Sequence, residues 1–571
     1  MHMMLGMAAS FQELAQAIMD EFLSWDPSLA TQVGWHKYDR QLRDLGRAAM
    51  DKQAVRCDLL IEELKKVSPA SLTLDEQLDC DLAIHLLRLW QFEIRDLRMY
   101  EHVSSAAADV GNSLFFLFIR DYPSFEERLD AISSRLEAVP QYLEESRVVL
   151  RAPYRVWNEE AYEAGKEIPL FLRKIEGYFE TKPLTPERKE RLRVAVKTAR
   201  DAIERHNEWL KGTVIPRAGP GYALPPLEYT NYFSMKGYGV TPDEALRVGE
   251  TYLEISKKRM KASAKELVPS GDPAEAIRLM KKDRPANFSE AFMEYKGTIK
   301  RAKEFVVSKN LLSVPDDDEL LVMETPEFMR PLCPFTQGFE PGKFDEKRTG
   351  IFMVTPTGDN EELLGEHCHS AIVSTVTHET YLGRHIQGMC SKKNASFVRV
   401  LSNSPDFGEG WGMYSEDMML LSGFNDTPLG RFVNLYDLVY RIARLVAEIK
   451  LVKGFMTLEA AAEMFKRECW MDPGAAAVEA QNCAIIPGYF SAYLLGKLAI
   501  CQLRDEVQAD LGSRFTLKFF HDSLAYAGSM PMPFMRRAVS IRMNDQFGIE
   551  LGPQKESLYQ YAMRKARETK L

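Results

Sequence analysis

The chain has 571 residues, of which 45% are hydrophobic and 27% charged. This is the usual mix of a globular protein and excludes a disordered, collagen-like or disulfide-stapled miniprotein class. The net charge of −9 and the absence of basic runs disfavour nucleic-acid binding. The eight cysteines are scattered and form no C-x-x-C pair, which is typical of reduced thiols in a cytosolic compartment. We therefore predict a cytoplasmic protein with no nucleic-acid partner.

The sequence offers no clear segment for membrane association. The residues before Ser10 lack the basic start and long apolar core of a signal peptide. The longest apolar stretch, residues 485–501, is interrupted by Pro487 and Lys497 and is too short to span a bilayer. We expect no membrane partner, and the sequence leaves the oligomeric state open.

Helix signals dominate the chain. Capping boxes, in which a side-chain oxygen and a glutamate three residues later satisfy free N–H groups, occur at four places. They are Ser10 with Glu13, Thr73 with Glu76, Thr241 with Glu244 and, as a looser match, Asp272 with Glu275. The clearest strand pattern is residues 350–356, bounded by glycine and proline. These signals predict a mainly α fold, a large helical body with a deep cleft between its halves and a small β element.

The densest cluster of proline and glycine runs from Thr213 to Tyr238. Such residues interrupt regular structure, so this cluster is our predicted boundary. It divides the chain into an N-terminal helical region, a connection and a C-terminal helical region, which carries the histidine and glutamate motifs described below and is the predicted catalytic part. These regions are residues 1–212, 213–238 and 239–571.

Four histidines fall within 19 residues, at positions 367, 369, 378 and 385. His378-Glu379, followed by His385, is similar to the zinc peptidase motif H-E-x-x-H, in which two histidines hold the metal and the glutamate activates water. Position 382, where the second histidine would stand, is leucine. Seven residues put both imidazoles on one face of a regular helix but ~10.5 Å apart along it. The alternative, which the sequence leaves open, is that His378 and His385 are two partly buried histidines that bind no metal. If His385 is not a ligand, His369 is the substitute for it.

A second segment, residues 407–416, carries two glutamates seven residues apart, Glu409 and Glu416. On a continuous helix they share a face, where one carboxylate can bind a metal and the other can orient a ligand histidine. A solvated acidic face is the alternative. Trp411 and Tyr414 favour burial, because a segment rich in aromatic residues is typical of a core.

The chain resembles the bacterial family known as domain of unknown function 885, regarded as predicted zinc metallopeptidases. Its motifs, in order, are H-E-x-x-P-G-H-H-x-Q, E-G-W-A-x-Y-x-E, P-G-Q-x-x-x-Y-x-x-G-K and F-H-D-x-x-x-x-x-G-x-x-P. Matching residues are His378, Glu379, Gly383, His385, Gln387, Glu409, Gly410, Trp411, Tyr414, Glu416, Pro487, Gly488, Tyr493, Gly496, Lys497, Phe520, His521, Asp522, Gly528 and Pro531. The resemblance spans nearly the whole chain and implies a gluzincin-like body, similar to carboxypeptidase Taq and angiotensin-converting-enzyme-like peptidases.

The resemblance implies hydrolysis of a peptide or a small amide by a metal-activated water. Zinc would be held by His378, His385 and Glu409, with Glu416 supporting a ligand. The metal lowers the pKa of its water towards ~7. Glu379 would be the general base. By analogy with the same peptidases, Tyr493 and His521 are candidates to stabilise the oxyanion.

Departures from the family pattern weaken the metal prediction. Position 384, a histidine in the family, is arginine, and Leu382 and Tyr489 replace a proline and a glutamine. A permanent cation beside zinc is electrostatically unfavourable. Neighbouring helical residues point ~100° apart, so we expect Arg384 to face away from the metal, towards a carboxylate such as Glu416 or into the cleft. The alternatives are a diverged enzyme that uses another metal or acts on a non-peptide amide, and a non-catalytic ligand-binding relic.

Overall fold

The structure is a computed structural model that describes residues 10–120, 124–221, 224–330, 333, 335–358 and 360–568. It is 72% helical and has one small sheet, which confirms the predicted mainly α fold with a small β element. The residues before Ser10, which the signal-peptide argument used, lie outside the described ranges.

Side-chain caps begin several helices on both sides of the connection. The boxes at Ser10, Thr73 and Thr241 are reciprocal, as predicted, whereas Asp272 caps only the backbone of Ala274. The helices before the predicted connection are α1 (Phe11–Trp25), α2 (Pro27–Gln32), α3 (Arg47–Lys66), α4 (Leu74–Phe92), α5 (Ala106–Ile119), α6 (Phe125–Val149), α7 (Arg155–Glu180) and α8 (Pro186–Trp209).

The connection, residues 213–238, is not a bare linker. It contains the short helix α9 (Ile215–Arg217) and the helix α10 (Pro226–Met235). The largest hydrophobic core joins residues from both sides of it, for example Ile18 and Leu82 with Val376 and Trp411. Hydrophobic contacts therefore cross the connection, and the division into three regions stays a prediction.

Three strands form the β element. The central strand β3 (Thr349–Val354) confirms the strand predicted at residues 350–356. It runs parallel to β1 (Glu319–Glu324) and antiparallel to β2 (Thr336–Phe339). Ile351 and Met353 pack into the core of the N-terminal helices, while Phe352 and Val354 pack into the largest core. Because side chains alternate along a strand, the sheet is buried between two helical layers.

The helices after the connection carry the candidate site. They are α11 (Pro242–Ala264), α12 (Pro273–Lys282), α13 (Phe288–Ser308), α14 (Glu361–Gly365), α15 (His369–Glu379), α16 (Arg384–Ser391), α17 (Phe397–Leu401), α18 (Pro405–Leu421), α19 (Pro428–Val452), α20 (Leu458–Cys469), α21 (Pro473–Ile485), α22 (Ser491–Leu511), α23 (Leu517–Ala525), α24 (Met532–Phe547) and α25 (Leu558–Glu568). Helix α18 packs so tightly on α22 that a Cβ atom at Gly410 would overlap the backbone of Gly496.

Within the described ranges, no helix is both long and apolar enough to cross a membrane. All eight cysteines are unpaired, in line with the reduced thiols expected from their scatter. The cytoplasmic location and the deep cleft stay predictions.

Candidate functional site

The helix that carries His378 and Glu379 ends immediately after them. Thr380 leaves the helical conformation, Leu382 has a left-handed φ of 29°, and Gly383 precedes the next helix. A Cβ atom at Gly383 would overlap the carbonyl oxygen of His378, so only glycine fits there. The segment between His378 and His385 is therefore a sharp break rather than two turns of one helix.

Helix α18 fixes this break. The indole Nε1 of Trp411 donates to the carbonyl oxygen of Leu382 at 2.8 Å, and the Ser415 hydroxyl donates to the same oxygen at 2.9 Å. Two donors on one carbonyl stabilise the left-handed residue, which otherwise costs of order 1–3 kcal/mol. Both donors are fully buried, as the aromatic pattern of this segment predicted.

His378 contacts both Glu409 and Glu416, the two glutamates that the sequence predicted near it. Nδ1 of His378 is 2.6 Å from Oε1 of Glu416, and Nε2 is 3.3 Å from Oε2 of Glu409. Gly412 lets α18 approach, because a Cβ atom there would overlap the imidazole. Burial alone lowers the pKa of His378, but the bonds to Glu409 and Glu416 outweigh it and raise the pKa to about 9. The imidazole is thus a buried cation between two carboxylates.

Arg384 faces this pair, and our expectation that it points away is corrected. Its Nη1 atom lies 3.1 Å from Oε1 of Glu409 and 3.8 Å from Oε2 of Glu379. The expectation assumed a regular helix, whereas residue 384 begins a new helix with its own orientation. Tyr489 also donates to Oε1 of Glu409, at 2.6 Å. Burial would raise the pKa of Glu409, but Arg384, His378 and Tyr489 hold it well below its usual range.

Helices α19 and α22 complete the wall around His378. Arg441 lies 3.1 Å from Glu416, and the ring of Tyr493 stacks against His378 with centroids 6.4 Å apart. The guanidinium of Arg444 lies 5.7 Å from the centre of the same tyrosine ring. Burial raises the pKa of Tyr493, so its phenol stays protonated. Within the described ranges this hydroxyl has no hydrogen-bond partner, which leaves it free to donate to a ligand.

The structure does not bring His385 to His378. Nε2 of His385 lies 2.8 Å from Oδ1 of Asp318, in the loop before β1, and the ring packs against Gly350 of β3. Tyr381 and Lys303 also donate to Asp318, at 2.6 and 2.7 Å. Burial opposes ionisation, but His385 and the other donors lower the pKa of Asp318 to about 2. The break in the helix is the physical reason: it turns residue 385 towards the sheet.

Two further histidines lie away from the pair. Both ring nitrogens of buried His521 are engaged, by the Tyr414 hydroxyl at 2.9 Å and the Leu311 carbonyl at 2.7 Å. Burial lowers the pKa of His521 to about 4, so it is a neutral packing residue here, in contrast to its predicted place at the oxyanion. His369, the substitute ligand, bonds Glu294 at 2.7 Å near the surface.

The residues present do not complete the predicted zinc site. His378 and Glu409 offer two donors, and Glu416 on the far ring nitrogen matches the carboxylate–histidine support found beside bound metals. The third donor is absent, since His385 is engaged by Asp318, and a guanidinium accompanies the pair instead. In the described part of the chain, no three or more His, Cys, Asp or Glu side chains are grouped to hold a metal. Metal binding stays a prediction that this donor set does not favour.

Two residues of this arrangement were missed by the sequence argument. Tyr489 was noted only as a departure from the family glutamine, although its place beside Pro487-Gly488 was a usable signal. Asp318 carries no local motif, and only the fold reveals that it binds His385.

Solved structures share this fold over nearly the full chain. A putative lipoprotein of unknown function from Shewanella oneidensis superposes with a TM-score of 0.78 and 22% identity, covering 93% of this chain and 99% of its own. The putative lipoprotein from Colwellia psychrerythraea gives a TM-score of 0.80 and 17% identity, covering 94% and 100%. At these identities the likeness shows the fold alone.

The sequence itself matches one family over most of its length, residues 27–539. No curated protein matches the chain. The chain belongs to the family described as bacterial protein of unknown function (DUF885).

Proposed function

We propose that this chain hydrolyses the amide bond of a peptide or of a related small molecule. The observation that carries the proposal is the pairing of Glu379 with Arg384, 3.8 Å apart on the two sides of the helix break. Their side chains are 20% and 33% exposed, whereas His378 and Glu409 beneath them are almost fully buried. The exposed pair can meet a substrate, and the buried pair supports it.

In this proposal Glu379 is the general base. Its carboxylate takes a proton from the water whose oxygen attacks the amide carbon, and then returns the proton to the leaving nitrogen as the carbon–nitrogen bond breaks. The guanidinium of Arg384, 3.8 Å from this carboxylate, lies close enough to contact the same substrate group.

The oxyanion of the tetrahedral intermediate needs hydrogen-bond donors or a positive charge. Arg384 supplies a charge that is permanent at all working pH values. The free hydroxyl of Tyr493, whose ring stacks on His378, is the second donor in this proposal. His378, Glu409 and Glu416 act as positioning residues, because their bonds fix Arg384 through Glu409.

Zinc-dependent hydrolysis is the second candidate. The contact of His378 with both Glu409 and Glu416 favours it, since this is the arrangement of a supported ligand histidine. It requires a third ligand in place of Arg384 or a substantial movement of His385.

The test is amide release from a panel of dipeptides, N-acyl amino acids and N-acyl amines, followed by mass spectrometry. Each assay is run on protein as purified, after treatment with a strong zinc chelator, and with zinc added back. Chelator-resistant hydrolysis that disappears in Glu379→Gln supports the proposal. Hydrolysis that requires zinc supports the second candidate, and no turnover of any substrate by well-folded protein contradicts both.

A further inference from the structure

A cavity beside the N-terminal helices is lined by none of the residues of the candidate site. It has a volume of about 420 Å³ and adjoins a second chamber of about 270 Å³. The two chambers share Trp25, Arg43, Trp90 and Glu93 in their walls. Volumes in this range are typical of small-molecule sites.

The cavity wall includes an unusual backbone segment. Helix α4 runs into a π-helical turn, Glu93–Leu97, and Arg98 then has a left-handed φ of 47°. Glu93, Ile94 and Leu97 of this turn line the larger chamber. π-Turns are rare and occur frequently at functional sites, and a left-handed non-glycine residue stores strain. Glu93, which lines both chambers, is the first residue of this irregular segment.

The walls are aromatic. Trp25 and Trp90 meet edge to face with ring centres 6.1 Å apart, and Tyr100 and Tyr232 line the same chamber. Aromatic faces attract organic cations through their quadrupoles, in addition to excluding water.

More carboxyl groups than cationic groups line the two chambers. Carboxyl groups from four residues line the two chambers, namely Asp26, Glu93, Asp109 and Asp406, against two cations, Arg43 and Lys236.

Arg43 and Lys236 both act on the Glu93 carboxyl group through their charge, but among the described residues neither forms a direct ion pair with it. Arg43 is held by Asp26 at 2.5 Å, and the Lys236 ammonium sits over the Tyr232 ring at 4.9 Å. Within the described ranges the Glu93 carboxylate has no hydrogen bond or ion pair. An unpaired carboxylate between aromatic walls is the complement of a positive, partly apolar ligand.

We propose that these two chambers form a binding site for a small aromatic or alkyl amine, with its ammonium group at Glu93 and its apolar body against Trp25 and Trp90. Asp109, whose hydroxyl donor is Ser105 at 2.9 Å, is the second carboxylate available to the ammonium group. Burial raises the pKa of Asp109, which fits a carboxyl group that gains from a nearby positive charge. The site does not depend on the proposed hydrolysis.

The test is titration of the full chain with phenethylamine, monitored by tryptophan fluorescence and calorimetry. Phenylacetate and 3-phenylpropanol are the matched anionic and neutral probes. The proposal expects saturable binding of the amine with no comparable binding of the other two. Equal binding of all three probes, or no binding of the amine at millimolar concentration, overturns it.

Variants locate the binding. Glu93→Gln should weaken amine affinity by about tenfold or more, and Trp90→Leu by a similar factor. Asp96→Asn is the matched control, because Asp96 lies in the same π-turn but not in the wall of either chamber. Asp109→Asn gives an independent reading if Glu93→Gln lowers the melting temperature. Unchanged affinity in both carboxylate variants overturns the proposal.

Discussion

The guanidinium of Arg384 lies 3.1 Å from Oε1 of Glu409, and His378 contacts the other oxygen, Oε2, of the same carboxylate. One buried carboxylate is thus shared by an arginine and an imidazole, each of which carries positive charge. A metal ion in the same place would meet both cations, so the arginine occupies the electrostatic role that the family resemblance assigns to zinc.

Replacement of Glu379 by glutamine should remove hydrolysis while the fold is retained. The amide is nearly isosteric but cannot accept the proton of water, and a positioned general base typically contributes ~10²–10⁴-fold. The measurement is kcat on whichever panel substrate is turned over. Glu362→Gln, on the exposed first turn of α14, is the control and should retain activity. Equal rates for wild type and Glu379→Gln would take Glu379 out of the mechanism.

Tyr493→Phe should lower kcat with little change in KM. The hydroxyl has no hydrogen-bond partner among the described residues, so its removal leaves no protein group unpaired. A donor used only for the oxyanion affects the transition state more than the bound substrate, and losses of ~10²–10³ are typical. A rise in KM at constant kcat would instead assign the tyrosine to substrate binding.

Replacement of His385 should lower the free energy of unfolding but should not abolish hydrolysis. His385→Ala removes one donor from buried Asp318 and leaves Tyr381 and Lys303, so we expect a loss of roughly 1–3 kcal/mol. The measurement is the urea midpoint at pH 7. His369→Ala is the control, because its contact with Glu294 is near the surface and should matter by less than about 1 kcal/mol. An unchanged midpoint in His385→Ala would contradict the structural role.

Glu448 should make the stability of the fold fall between about pH 4.5 and 7. Burial raises its pKa to about 7, although the Ser491 side chain and the Phe490 and Ser491 backbone N–H groups partly counter this. Because the folded pKa lies above the unfolded value, the stabilising contribution is complete below the unfolded pKa and is lost as pH rises through the folded pKa. The total change is roughly 3 kcal/mol.

Glu448→Gln tests this dependence, since an amide does not titrate. The difference in Tm between wild type and variant should shift in favour of the variant as pH rises from 4.5 to 7.5. A constant difference across that range would show that Glu448 titrates alike in the folded and unfolded chains.

The sequence predicted the parts that follow from local rules. Three of four capping boxes and the central strand lie where expected, because a cap needs only residues within one turn. Glu409 and Glu416 lie on one uninterrupted helix and both contact His378, in agreement with the shared face that their seven-residue spacing predicted.

The remainder depended on tertiary contacts. Bonds from Trp411 and Ser415 to Leu382 hold the break before Arg384, and no spacing argument within residues 378–385 contains them. Asp318, which takes His385, is 67 residues away in the sequence. Because the helix breaks before residue 384, Arg384 faces Glu409, where His385 was expected, and His385 contacts Asp318 instead.

The most direct test of this account is the zinc content of wild type, Arg384→His and Arg384→Gln after equilibrium dialysis against zinc. The account predicts that the wild-type protein holds no stoichiometric zinc. Arg384→His should bind one zinc ion per chain, because the new imidazole lies beside His378 and Glu409. Arg384→Gln removes the cation without adding a ligand, so its affinity for zinc should be lower than that of Arg384→His. Stoichiometric zinc in wild type that is lost in His378→Ala would contradict the account and establish the metal site that the family resemblance implies.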